Sequence, residues 1–324
     1  MILVVVEHEA GAPDRLSSEA LTLGRTLAEA LGVPLHAVTW GRGAAEIAGQ
    51  LGGTGVAVLH TIEDQRLSDH APEAVGRAIA QLVERDRPIA VLGTASDRGA
   101  EIMAHAAARS GLPLAANCSE VRPGEPWQVT RLRWGGSLLE EATLDDAPRL
   151  LTVAPHAFEP AAVGAATGGP VTVQPFSADL TDGDFRVRIS SRVPAEAGRI
   201  SLADARVVVG GGRGVGSAEG FAQLDELAGL LGGAVGVSRV VTSAGWRPHA
   251  QQVGQTGTRI APDLYIACGI SGAIQHVVGC RSAKAILAIN TDRDAPMVTR
   301  ATYAVIGDLH TVLPAVIAAV RAAR

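Results

Sequence analysis

The chain alternates short apolar runs with stretches in which apolar residues recur every three or four positions. Ile2 to Val6 is unbroken and rich in β-branched residues, the pattern of a parallel strand covered on both faces. A helix is predicted to run to about Leu31, capped by Ser17 and Ser18, with Glu19 in a charged first turn and Leu21, Leu23 and Leu27 on its apolar side. The rhythm continues with strands at Pro34–Trp40, Val56–His60 and Ile89–Gly93, and with helices near Ala44–Leu51 and Pro72–Glu84. A further helix starts from an Asp97 cap and runs through Arg109. Short buried runs separated by amphipathic helices predict a doubly wound parallel sheet.

After Gly111 there is no room for helices. Cys118–Val121, Trp127–Leu132, Leu138–Leu144 and Leu150–Val153 read as added antiparallel strands. Residues 155–175 are rich in Ala, Gly, Pro and Thr, and Phe185–Ser191 reads as one more strand. A linker over 192–203 then separates an N-terminal domain, 1–191, from a second domain, 204–324. The second domain restarts the α/β rhythm, with strands at Val207–Val209, Ala234–Val237, Leu264–Cys268, Ala285–Ile289 and Tyr303–Ile306. Its helices are Phe221–Leu231 and Thr311–Arg324. The fold class is α/β with two domains: a doubly wound N-terminal domain with added antiparallel strands, and a C-terminal Rossmann-like parallel sheet.

Composition agrees with this organisation. A chain of 324 residues with 47% hydrophobic and 19% charged residues is folded and long enough for two cores. A net charge of -5 without a long basic run argues against a nucleic-acid partner. Three cysteines, Cys118, Cys268 and Cys280, lack C-x-x-C spacing and read as reduced, buried thiols. The apolar start is cut off by Glu7 and His8, too short for a signal sequence or membrane insertion, so the expected location is cytoplasmic.

Candidate chemistry collects in the second domain, above all between Val237 and Asn290. Each strand there ends in a loop holding a small polar or charged residue: Arg213, Ser238, Ser271, Asn290 and Asp308. Carboxyl ends of parallel strands are where α/β folds bind nucleotides. The run Gly210–Ser217 follows a strand and precedes a helix, yet no register gives G-x-G-x-x-G and no P-loop pattern is present. It reads either as a phosphate cradle, with Arg213 adding a guanidinium at a helix N-terminus, or as a tight strand–helix turn. Arg239 is either a surface arginine or a cation beside a planar redox ring. His276 is either a satisfied structural histidine or a ligand contact, and Asn290 and Asp308 are either ligand contacts or turn and cap residues. The other histidines show no metal spacing, and no Ser/His/Asp arrangement or G-x-S-x-G elbow emerges. No catalytic residue and no metal site are predicted.

Taken together, Gly211–Gly214, Val237–Arg239, Gln252-Val253-Gly254-Gln255-Thr256-Gly257, Ala261–Ile266, Gly269–His276 and Ala288–Asn290 resemble the FAD-binding domain of electron transfer flavoprotein α subunits. Order and spacing match from about Val207 onward, and the first 190 residues match more loosely. The resemblance implies a heterodimer with a β subunit, one FAD held by this chain, and AMP or a second FAD in the partner. It implies an electron carrier with no metabolite turnover of its own, taking electrons from dehydrogenases and passing them to a quinone-linked or ferredoxin-linked acceptor. Position by position, Arg213, Ser238 and Ser271 correspond to contacts with the phosphates or ribityl chain, and Arg239 to the arginine over the isoalloxazine. Val253 to Thr256 correspond to the segment lining the flavin edge, with the Thr256 hydroxyl near N5, and Gln252 and Gly257 complete that cofactor-binding block. Gly272, Ala273, Ile274, Gln275 and His276 continue that wall, with His276 beside O2. Asn290, Asp308 and Leu309 face the adenosine end.

A physical argument runs beside the resemblance. Reduced flavin gathers negative charge at N1 and O2, so a cation at Arg239 and a donor at His276 favour reduction, while Thr256 tunes the balance between one- and two-electron states. Ser243, where the family often has Asp, and the stretch Thr242–Ala250, which lacks the common Pro-Asn-Asp ending, depart from the pattern and bear on partner and potential. An electron-bifurcating complex is one variant of this reading. From other classes, a nicotinamide-dependent oxidoreductase and a nucleotide-binding regulatory subunit remain open.

Overall fold

The strand β1 (Ile2–Val5) is buried on both faces, and alternate residues enter two separate cores. Ile2 and Val4 pack with Leu21, Leu23 and Leu27 of helix α1 (Arg15–Leu31). Leu3 and Val5 pack on the other side with α2 (Pro72–Asp86) and α3 (Asp97–Ser110). The two-residue period of a strand thus places helices on both faces of the sheet. The computed structural model describes residues 1–9, 11–68, 70–145, 147–160, 170–187, 189 and 200–323, and the chain divides into two units, Met1–Val193 and Pro194–Arg324.

In the first unit the further strands are β2 (Leu35–Trp40), β3 (Val56–Ile62), β4 (Ala90–Thr94), β5 (Leu114–Arg122), β6 (Trp127–Arg133), β7 (Leu138–Leu144), β8 (Arg149–Val153) and β9 (Thr172–Phe176). They form one sheet in the order β9-β3-β2-β1-β4-β8-β5-β6-β7. The expected doubly wound sheet with added antiparallel strands is present. Three local expectations change.

Strand β8 is not antiparallel: it lies between β4 and β5 and is parallel to both. All five of its residues are buried, as a strand covered on both faces requires. Within this sheet, among the described residues, only the β5–β6–β7 pairs are antiparallel, and a separate two-stranded antiparallel ribbon joins His8–Glu9 to Ala12–Pro13. The stretch Ala44–Leu51 forms a single 3-10 turn, Glu46–Gly49, because flanking Gly41, Gly43, Gly53 and Gly55 all take positive φ. Phe185 ends the 3-10 turn Asp182–Phe185 instead of opening a strand, and β9 supplies the outer strand at the end of the stretch rich in Ala, Gly, Pro and Thr. Residues 188, 190 and 191–199, which include the rest of that strand and most of the expected linker, lie outside the described residues.

Two caps also move. Asp14 accepts from the Ser17 amide at 2.6 Å and starts α1 earlier, while the Ser17 hydroxyl accepts from the Glu7 amide at 2.8 Å. Ser96, one residue before Asp97, caps α3 by accepting from Gly99 at 2.8 Å.

The second unit is a five-stranded parallel sheet: β10 (Val207–Gly211), β11 (Ala234–Val237), β12 (Leu264–Cys268), β13 (Ala285–Asn290) and β14 (Tyr303–Ile306), in the order β11-β10-β12-β13-β14. Its helices are α4 (Phe221–Leu231), α5 (Arg239–Ser243), α6 (Ile274–Cys280), α7 (Pro296–Thr299) and α8 (Leu309–Ala322). One face of the sheet packs against α4 and α8 through Phe221, Leu224, Leu313 and Ile317. The other face packs Val208, Tyr265 and Ala267 against Val253, Ile260, Ile270, Cys280 of α6 and Met297 of α7. From β10 the chain goes first to β11 on one side, then to β12 on the other. Loops leaving β10 and β12 therefore part company at their carboxyl ends and leave a crevice. All three cysteines are buried and unpaired, and burial pushes each thiol up to about 12.

Candidate functional site

Hydrogen bonds carry the sheet ladder one step past the strand ends. Ser238 N donates to Gly211 O at 3.0 Å, Gly212 N to Cys268 O at 2.9 Å, Gly269 N to Ile289 O at 2.9 Å and Gly307 N to Asn290 O at 3.0 Å. Five loops are thereby held in line above the sheet. A second layer is built by Val253 N on Val237 O at 2.9 Å and Gln255 N on Gln275 O at 2.8 Å. Between these loops lies a cavity of about 650 Å³, in the size range of small-molecule and cofactor pockets.

Of the eighteen candidate residues, sixteen line this cavity: Arg213, Ser238, Arg239, Gln252, Val253, Gly254, Gln255, Thr256, Ser271, Gly272, Ala273, Gln275, His276, Asn290, Asp308 and Leu309. Gly257 and Ile274 do not. Gly257 turns the chain back on Gln252, whose carbonyl oxygen would lie 2.2 Å from a Cβ there. Ile274 opens α6 with its side chain 67% exposed.

The glycine run does not open a helix. It forms a 3-10 turn, Arg213–Val215, and α4 starts only at Phe221, so Arg213 sits beside the crevice and away from a helix N-terminus. Gly212 and Gly214 are spaces for Gly269: a Cβ on them would lie 2.2 Å from its carbonyl oxygen and 2.8 Å from its Cα. Close approach of two loops is what these glycines serve.

Polar groups divide into those already used and those left over. Asn290 is used: Nδ2 donates to Ile270 O at 3.0 Å and Oδ1 accepts from Asp292 N at 3.1 Å. Asp308 caps α8 through the His310 amide at 2.9 Å, so that helix starts at Leu309 instead of Thr311. Gln252 is almost fully buried, with Oε1 accepting from Thr242 at 2.7 Å and Nε2 donating to Thr256 Oγ1 at 3.0 Å. Ser238 precedes the short helix α5 without spending its hydroxyl on a cap. Arg213 and Arg239 are exposed on the cavity wall and make no ion pair among the described residues. Two unpaired guanidinium groups on one polar cavity favour an anionic ligand.

His276 is 6% exposed, and burial drives its imidazole down to about 4 against a weaker opposing pull from the Val253 backbone. It is neutral at physiological pH. Its Nε2 lies 2.8 Å from the hydroxyl of fully buried Tyr265, and its Nδ1 is buried without a partner in hydrogen-bond geometry. By sequence pattern alone Tyr265 is part of an apolar run. The signal that it has a polar role is a phenol in the middle of a buried strand, which must find a partner for its proton. Thr242 and Ser243 also hold places that the sequence pattern does not assign: the first orients Gln252, the second lines the cavity. Among the described residues no His, Cys, Asp or Glu cluster could hold a metal ion, and no helix is long and apolar enough to cross a membrane.

A cavity of this polarity at the switch point of a parallel sheet makes the second unit a nucleotide-binding α/β domain. Residues 201–281 match the electron transfer flavoprotein FAD-binding domain, and residues 2–179 match the electron transfer flavoprotein domain. The electron transfer flavoprotein subunit alpha of Clostridium acetobutylicum is 35% identical over 326 residues, covering 99% of this chain and 97% of its own. That of Mycobacterium leprae is 38% identical over 314 residues, covering 96% and 95%. Protein FixB of Bradyrhizobium diazoefficiens is 37% identical over 331 residues, covering 99% and 88%. The chain belongs to the electron transfer flavoprotein α subunit family, whose FAD-binding domain is its second unit.

The residues present fit that cofactor. The unpaired arginines suit a pyrophosphate or a ring that becomes anionic, and the orphaned His276 nitrogen suits a ring-edge acceptor. Gly254, at φ 144°, and Gly272, at φ 85°, let the wall fold tightly behind the cavity, where a Cβ would lie 2.9 Å from Gln275 O and 2.3 Å from Met297 N.

Proposed function

We propose that this chain is the FAD-holding subunit of a heterodimer with a β subunit, taking electrons from dehydrogenases and delivering them to a quinone-linked or ferredoxin-linked acceptor. It converts no metabolite itself. The observation that carries this reading is the convergence of Arg213, Arg239 and the unpartnered His276 nitrogen on one cavity at the switch point. FAD supplies the capacity to take up one electron or two.

The chain supplies position and field. Arg213, with the Ser238 and Ser271 hydroxyls, would hold the phosphates and ribityl chain. Arg239 would stand beside the ring system and favour its negatively charged states. Gln252 holds Thr256 in place, and the Thr256 hydroxyl is assigned to N5. His276, neutral, would act at O2 as a donor and not as a cation. Leu309 and the backbone beside Asn290 and Asp308 would close the adenosine end. AMP or a second FAD would belong to the partner.

Co-purification with the β subunit tests this. The expected preparation is yellow, with FAD counted per heterodimer, and is reduced when a donor dehydrogenase and its substrate are added. Two FAD per heterodimer favour the electron-bifurcating variant. A colourless heterodimer that cannot be reconstituted with FAD overturns the proposal in favour of a regulatory nucleotide site.

A further inference from the structure

Strand β12 reads Leu-Tyr-Ile-Ala-Cys, and Tyr265 is its one side chain with a hydroxyl proton to place. Tyr265 is completely buried, and the only hydrogen bond of its hydroxyl among the described residues is to His276 Nε2, at 2.8 Å. Space for that hydroxyl is reserved from the neighbouring strand. A Cβ on Gly210 would lie 2.3 Å from the Tyr265 oxygen, so the first glycine of the run seats a phenol and no phosphate.

The pair admits one satisfied arrangement. A neutral imidazole carries a single N–H, on one nitrogen or the other. A proton on Nε2 would point at the Tyr265 oxygen and leave the buried phenol proton without an acceptor. A lone pair on Nε2 accepts that proton. The histidine proton then sits on Nδ1, which has no partner in hydrogen-bond geometry among the described residues, the Val253 backbone being the polar group that pulls on the ring. Burial supports both protonation states, raising Tyr265 well above its ordinary range and lowering His276.

We propose that Tyr265 is a positioning residue: it donates to Nε2 of His276, fixes the Nδ1–H tautomer and so makes Nδ1 the one donor this histidine offers to the bound flavin. This rests on the FAD reading above and adds what decides the polarity of the His276 contact. Without the phenol, Nδ1 is free to become an acceptor, which would oppose charge gathering at O2.

The test is nitrogen NMR on the FAD-loaded heterodimer with 15N-labelled histidine, the His276 signals being assigned by their loss in His276→Gln. Wild type is expected to show a protonated Nδ1 and a pyridine-type Nε2. Tyr265→Phe is expected to shift the tautomer ratio at least tenfold toward Nε2–H and to lower the flavin potential. Gly210→Ala, which crowds the hydroxyl, is expected to act in the same direction. An Nε2–H tautomer in wild type overturns the proposal, as does a Tyr265→Phe protein with unchanged tautomer and potential. If Tyr265→Phe does not fold, the wild-type spectrum alone decides between the two tautomers. A heterodimer that never takes up FAD defeats the cofactor reading, while its His276 spectrum still decides for or against the Tyr265 pair.

Discussion

Gly214 and Gly269 pack backbone against backbone: the Gly214 amide donates to the Gly269 carbonyl at 3.1 Å, and a Cβ on either would lie 2.8 or 2.7 Å from the other's Cα. The two loops that part at the switch point are thus fastened where they leave the sheet. The crevice is a gap between them, and this contact is its floor. Shape at the cofactor site depends on the absence of two side chains.

Gly269→Ala should therefore cost more than an alanine at another left-handed glycine. Gly269 has φ 61° and no room for a Cβ, whereas Gly216 has φ 89° with its nearest atom 3.9 Å away. The Gly216→Ala loss should stay near the conformational cost of roughly 1 kcal/mol. Gly269→Ala should lose roughly 2–4 kcal/mol, since strain and overpacking add. Urea unfolding of both variants measures this, and equal losses would mean the loops open freely.

Arg239→Ala should lower the flavin potential while leaving the fold intact. Its guanidinium is exposed on the cavity wall and meets no acid among the described residues, so its field is available to the ligand. Loss of about 1.4 kcal/mol of charge stabilisation corresponds to roughly 60 mV for a one-electron step. Arg239→Lys should fall between, keeping the charge without the planar fork. Spectroelectrochemical titration of the heterodimer reads the shift. A potential equal to wild type in Arg239→Ala would remove this residue from the tuning of the ring.

Much of the second unit is legible in the sequence because its apolar runs are bounded by glycine, serine or proline. Ala234–Val237, Leu264–Cys268 and Tyr303–Ile306 stand as the pattern predicts. Strand direction is not legible: Leu150–Val153 is a buried run whichever way it pairs, and only its place between β4 and β5 makes it parallel. At the site, the polar loop residues can be read because they interrupt apolar runs. Tyr265 cannot, because an aromatic residue inside such a run looks like core until its hydroxyl partner is known.

Gln252→Ala should loosen the wall without touching its charges. The buried amide of Gln252 ties Thr242, on the Arg239 helix, to the exposed Thr256. Two lost hydrogen bonds amount to roughly 2 kcal/mol, and at 1.4 kcal/mol per decade FAD affinity should fall on the order of tenfold or more. Fluorescence titration of the flavin-stripped heterodimer with FAD checks this. Gln252→Glu should bind FAD differently again, since a carboxylate would take the Thr256 proton that the wild-type amide leaves free to point elsewhere.

Acid should destabilise this fold partly through His276, and the sign follows from its direction of shift. The imidazole falls from an ordinary 6.5 to about 4 in the folded protein. Between those values the unfolded chain binds a proton that the folded chain refuses, so stability rises with pH across the window and is lost as pH falls from 6.5 toward 4. From pH 7 to pH 5 the loss from this one group is about 2 kcal/mol. His60, pushed to about 4 mainly by burial, adds the same kind of slope from the first unit. Comparing wild type with His276→Gln isolates the His276 contribution, because every other group titrates alike in both. The variant should lose about 2 kcal/mol less than wild type between pH 7 and pH 5, as measured by denaturant unfolding of the two heterodimers. Parallel losses would mean that His276 takes up its proton in the folded state, and that the cavity wall is charged where the structure makes it neutral.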